Sequence, residues 1–304
     1  MQVLNQSSVS NNTGSEGGAV RCRHVAGVAV TSGSSMSLNR ATGSSGGAIY
    51  AWDNMGGSED TGAIVISGGS RVDSNSAAQS GGVIALQTVV LQVLVSDSSS
   101  LSGNVAQSGD GGAIRVRHVD MFVVEAGSSV SNNTAADGSG RGGALFADGV
   151  GDQRNMTLVA VRDRSHLDGN RAKQGGGAVA LWVTLEGLVI SGDSSMDGNE
   201  ADGPDGGGAL RVRHVGRMEV TDGSSVSGNT AAAGRGGAVF AEGVWEWRVE
   251  RLAVANGSRV DGNWAAQEGG AFWTNIPLTE FQVRMRASVA RSGRYAKGLC
   301  VPVA

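Results

Sequence analysis

Cysteine, proline, lysine and aromatic residues are all scarce in this 304-residue chain, and each scarcity removes a class of structure. Cys22 and Cys300 are the only cysteines, so no disulfide framework is available. Only 3 prolines accompany 50 glycines, and glycine does not fall at every third place, which excludes collagen. A hydrophobic content of 40% excludes a disordered linker. Lys and Arg total 24, of which only Lys173 and Lys297 are lysine, and the net charge is −4. That balance supplies no basic footprint for a nucleic acid or an anionic membrane surface. No apolar run approaches the roughly 20 residues that cross a bilayer, so no membrane insertion is expected of this segment. The start Met-Gln-Val-Leu-Asn-Gln carries no basic-then-apolar signal.

What the chain does have is a period. Gly-Gly-Ala-aliphatic, or a near copy, begins at Gly17, Gly46, Gly81, Gly111, Gly142, Gly176, Gly207, Gly236 and Gly269. Each copy is followed by an aliphatic residue three places before a polar corner, usually Asn. The asparagines are Asn12, Asn39, Asn75, Asn104, Asn133, Asn170, Asn199, Asn229 and Asn263. Units of this size that recur in tandem predict a solenoid. After each glycine pair the residues alternate, as in Ile114-Arg115-Val116-Arg117, which predicts a strand. A second apolar run such as Leu188-Val189-Ile190 predicts another, giving two or three strands per coil.

The fold expected is therefore all-β: a right-handed parallel β-helix of about ten coils, roughly 45 to 50 Å long at the strand spacing. The glycines suit tight corners, and the asparagines are expected at inner corners, where amides bond the turn and the next coil. Residues 1–292 form one domain and 293–304 a tail or cap. Val9 and Asn12 have no Gly-Gly-Ala before them, so the chain is expected to open inside a coil and to be part of a longer protein. Cys22 replaces a valine of the later copies and is expected to be a small buried residue, some 40 Å from Cys300.

A longer period is superimposed. Gly-Gly-Ala-x-Arg-x-Arg-His-Val opens at Gly17, Gly111 and Gly207, and Gly-Gly-Ala-x-aromatic-Ala opens at Gly46, Gly142 and Gly236. The third type opens at Gly81, Gly176 and Gly269. The coils thus form three three-coil units, about 17–110, 111–206 and 207–292. Counting from Ala271 places the last corner at Ser292, with Val289 three before it. Middle coils carry an extra loop, covering about 53–61, 148–155 and 242–250.

Gly-Gly-Ala-Ile with an x-x-Asn partner once per coil resembles the repeats of the chlamydial polymorphic outer-membrane proteins and their relatives. The resemblance covers about residues 7–292. It implies a right-handed parallel β-helix, cell-surface or extracellular placement and a role in adhesion. In that family the second motif is Phe-x-x-Asn, whereas here the Phe is Val, Met or Leu.

Alternation places Arg21/Arg23, Arg115/Arg117 and Arg211/Arg213 on one outer face. Guanidinium forks in that arrangement suit carboxylate or sulfate groups on a polymer, or else pair with acidic neighbours. Tyr50, Trp52, Phe146, Trp182, Phe240 and Trp273, with Trp245 and Trp247 in the third loop, form an outward aromatic group that could stack on sugars, pack against loops or contact a protein. His24, His118 and His214 end the same strands three coils apart, too far to share a metal, and are expected to bond corners. Asp148 and Glu242 match in position but are separated by three coils, and Trp52 stands there in the first copy. With no converging carboxylates, no catalytic residue, metal or cofactor is assigned. The function expected is non-catalytic surface display, adhesin-like, with glycans or surface proteins as partners. The alternatives are a fragment of a polysaccharide lyase or hydrolase, and an inert spacer of a wall or coat.

Overall fold

The computed structural model describes residues 1–52, 60–149, 154–243 and 248–283, and the backbone of the short strands Ser288–Val289 and Leu299–Cys300. These form an all-β, right-handed parallel β-helix of about nine turns. Every strand pairs in parallel with its counterparts in neighbouring coils, and the described residues contain no helix. Right-handed winding is the rule for parallel crossovers.

Each full coil holds four strand positions rather than the two or three the apolar runs suggest. In the coil that opens at Gly111 they are Ile114–Val116, His118–Val124, Ser129–Ser131 and Thr134–Ala135. The last two are short and carry Ser and Thr, so the sequence reads them as turns. We call the four stacks the first to fourth sheets. The first and second contain ten strands each.

Like stacks on like inside the solenoid. Ile64, Val93, Phe122, Val159, Leu188, Met218 and Leu252 are successive register partners in the second sheet, and all are buried. Ile49, Ile84, Ile114, Leu145 and Val179 form a similar column in the first. Burial of each such side chain contributes about 1.5 to 3 kcal/mol.

Two polar columns complete the interior. Asn39, Asn75, Asn104, Asn133, Asn170, Asn199, Asn229 and Asn263 are fully buried, and Asn12 at the N-terminal end is exposed. Each Nδ2 from Asn12 to Asn229 donates to Oδ1 of the next Asn at 2.9 to 3.1 Å. The second column, absent from the sequence reading, is serine. The backbone N–H groups of Ser34, Ser70, Ser99, Ser128, Ser165, Ser194 and Ser224 each donate to Oγ of the serine in the next coil at 3.1 Å. Its sequence signal is a serine two places before every aliphatic-x-x-Asn, as in Ser128-x-Val130-x-x-Asn133.

The glycine pair closes the coil. Gly142 adopts φ 62°, a left-handed conformation that favours glycine. A Cβ on Gly143 would collide with the carbonyl oxygen of Gly177 in the next coil. Cys22 is partly exposed rather than buried, because its strand Val20–Cys22 is the end strand of the first sheet among the described residues. At the other end, Val260 pairs with Val289, the register the repeat spacing predicts, while Ser292 lies outside the described residues.

Candidate functional site

The outer face of the first sheet carries the Arg and aromatic candidates in one row. Arg21, Tyr50, Ala85, Arg115, Phe146, Ala180, Arg211, Phe240 and Trp273 are successive register partners. Although the row points away from the core, much of it is covered. Phe146, Phe240 and Trp273 are only 3%, 6% and 8% exposed, which corrects the expectation of exposed rings. The arginines are buried stepwise: the side chains of Arg21, Arg115 and Arg211 are 50%, 25% and 6% exposed.

The cover comes from neighbouring coils and from the turn that precedes each strand. Arg21 pairs with Glu16 and lies 3.7 Å from the centre of the Trp52 ring, which stacks with Tyr50. Arg115 Nη2 meets Asp148 Oδ2 at 2.6 Å. Arg211 lies 3.7 Å from the Trp182 ring centre and 3.6 Å from Glu242 Oε2. Phe240 and Trp273 stack at 4.7 Å, and Trp273 Nε1 donates to Glu268. Burial holds the Arg211 pKa below the usual arginine value, while Asp205 and Glu242 oppose that shift. Each of these arginines thus has a carboxylate partner, and Arg21 and Arg211 also lie against rings. Arg23, Arg117 and Arg213 remain exposed. Trp245 and Trp247 lie outside the described residues, as do the loop tips 53–59, 150–153 and 244–247.

The histidines do not end the first-sheet strands. His118 and His214 open strands of the second sheet, His118–Val124 and His214–Val220, one residue past the corner. His118 is fully buried, and its Nε2 lies 2.9 Å from Asp120 Oδ1, so its partner is a carboxylate rather than the corner backbone. Among the described residues no group of three or more His, Cys, Asp or Glu could hold a metal.

A concave polar surface lies on the outside of the second sheet. It is an open groove of about 710 Å³ lined by Asn155, Thr157, Thr184, Leu185, Glu186, His214, Gly216, Arg217, Arg248, Glu250 and Thr279. Asn155 and Arg248 are the stems on which the chain returns from two consecutive middle-coil loops. They are three coils apart, about 14 Å at the strand spacing. Between these walls Leu185 pairs with Val215 and Gly187 with Arg217, so Glu186 stands opposite Gly216. Arg217 pairs with Arg251, which places Glu250 on the other side of Gly216. The two carboxylates therefore rise about 10 Å apart on either side of Gly216, which has no side chain. Burial lowers the His214 pKa from its usual 6.5, and the nearby Glu250 pulls it back up.

Of these groove residues, the sequence marks His214 as a corner histidine, Asn155 and Glu250 as loop ends and Arg248 as part of the third loop, and gives no sign of Glu186, Gly216 or Arg217. Nothing in the spacing brings 155, 186, 214 and 248 together until the coils are stacked. No protein-family model, curated protein or solved structure matches this chain.

Proposed function

We propose that the protein is a non-catalytic β-helix of the cell surface or extracellular space that binds a glycan in the groove of its second sheet. The groove itself carries this reading. Carboxylate acceptors (Glu186, Glu250), guanidinium donors (Arg217, Arg248) and hydroxyl and amide groups (Thr157, Thr184, Thr279, Asn155) share one rigid concave surface. A sugar hydroxyl is both donor and acceptor, so it is best satisfied by such a mixed lining. The lining crosses five consecutive coils of the second sheet, from Asn155 to Thr279, a strip about 19 Å long at the strand spacing that suits one extended chain. The resemblance to surface-displayed repeats of the chlamydial type supports the placement. A binding screen with glycans and matrix proteins tests the reading: Glu186→Ala/Arg217→Ala should lose a glycan that the parent chain retains. Capture of matrix proteins alone, indifferent to that double substitution, would refute it.

One observation favours a second reading, polysaccharide hydrolysis. Glu186 and Glu250 face each other across Gly216, and inverting glycosidases hold two carboxyl groups roughly 6.5 to 9.5 Å apart. Incubation with any glycan that binds separates the two, since hydrolysis alone generates new reducing ends.

A further inference from the structure

We propose, building on the glycan-binding reading, that the groove takes a neutral, hydroxyl-rich chain and that the molecule holds only one such site despite its internal repetition. A three-coil repeat should reproduce, where the first unit meets the second, the groove that lies where the second meets the third. That first position lies between the stems at Asp60 and Arg154, over the strands Val89–Val95 and His118–Val124. There the histidine is kept, His118 for His214, but the rest of the floor differs.

The first position is spanned from above. Arg154 Nη1 lies 3.0 Å from Asp60 Oδ2, an ion pair between residues 94 apart that crosses from one stem to the other. Beneath it, the register places Leu91 where the second groove has Glu186, and Asp120 where it has Gly216. Leu91 is 42% exposed and offers no hydrogen bond. Asp120 is engaged with His118. In the second groove Gly216 removes the side chain that fills the floor, and Glu186 supplies an acceptor in place of the leucine.

Charge selects the ligand class. The second groove carries Glu186 and Glu250 against Arg217 and Arg248, which sum to zero with His214 neutral. A polyuronate or a sulfated polymer needs an excess of cations, and two carboxylates on the floor repel it. The arginine row that would suit such a polymer is on another sheet, and Arg21, Arg115 and Arg211 in it are already paired with Glu16, Asp148 and Glu242.

The test is titration calorimetry on the full chain with unsubstituted neutral hexose oligomers, polyuronate and sulfated polysaccharide, each at low and high salt. The expected result is binding of a neutral oligomer at one per chain, with affinity changing less than about twofold between the two salt conditions. Glu186→Leu, which installs the residue of the first position at an exposed site, should abolish binding with the β circular dichroism unchanged. Conversion of the first position by Asp60→Ala, Arg154→Ala, Leu91→Glu and Asp120→Gly together should raise the stoichiometry to two. Two sites in the parent chain, a converted chain still at one, or tight, salt-sensitive binding of the acidic polymers would overturn the inference while leaving glycan binding standing. If none of the three classes binds, the glycan reading itself fails, and the inference with it.

Discussion

One side-chain oxygen of Asn170 accepts two hydrogen bonds from Asn133, from Nδ2 and from the backbone N–H, each at 3.0 Å. Asn133 Nδ2 also donates to the carbonyl of Leu101 in the coil before, at 2.9 Å. One buried amide thus ties three consecutive coils together. Such a group strengthens the stack only while every partner is present, because each buried donor or acceptor left alone costs about 1 to 3 kcal/mol.

Asn133→Ala strands partners on both sides, so it should destabilise the chain by on the order of 3 kcal/mol or more. Urea denaturation measures this. A change below about 0.5 kcal/mol, typical of surface substitutions, would contradict the column as a stabilising element.

The serine column is a weaker version of the same device. Ser128→Ala removes the acceptor for the Ser99 N–H and should cost about 1 to 3 kcal/mol, less than Asn133→Ala. Ser131→Ala, three residues on and facing outward, serves as the control and should stay within about 0.5 kcal/mol. Equal effects at the two serines would remove the distinction.

Asp197 and His214 add slopes of opposite sign to the pH dependence of stability, and Asp73 and Asp110, also raised by burial, add to the slope of Asp197. Burial raises the Asp197 pKa above its usual 3.8, although hydrogen bonds from Ser225 and the Ser227 N–H lower it. A raised folded-state pKa gives a contribution that is full below 3.8 and is lost as pH rises through the folded value. His214 has a lowered pKa, so its neutral form is favoured and stability falls as pH drops below 6.5 toward the folded value. Melting temperatures from pH 3 to 8 should show both slopes. Asp197→Asn should make the first slope shallower and His214→Gln the second; a parent slope that either variant leaves unchanged would assign it to other groups.

The three-coil unit should behave as a removable block. Deletion of 111–206 joins Asp110 to Gly207, a third-type coil to a first-type coil as in the parent chain, and should leave a cooperative, shorter β-helix. Deletion of 111–141 brings Phe146 onto Ala85 in place of Arg115, so it should melt lower than the 111–206 deletion. Identical melting of both deletions would show that the phase of the outer row has no energetic weight.

Much of the fold is legible in the sequence because its determinants are local and repeated. Ile114 and Val116 alternate with arginines, Gly142 and Gly143 satisfy backbone geometry, and the count from Ala271 places Val289 in register with Val260. The third and fourth strands are less visible, since Ser129–Ser131 and Thr134–Ala135 are too short and polar to show alternation. The serine column is written in the spacing too, but it is masked by a background of Ser-rich turns.

By itself, then, the sequence determined that this chain stacks, with what period, and which residues face the core. These follow from backbone geometry and alternation within a few residues. Only the tertiary structure decided what the outer faces do. It buried Phe240 under its neighbours, paired Arg115 with Asp148, drew Arg154 across to Asp60, and opened a groove over Gly216. Parallel stacking sets residues of successive coils side by side at about 4.8 Å, so contacts there depend on register and side-chain reach across coils.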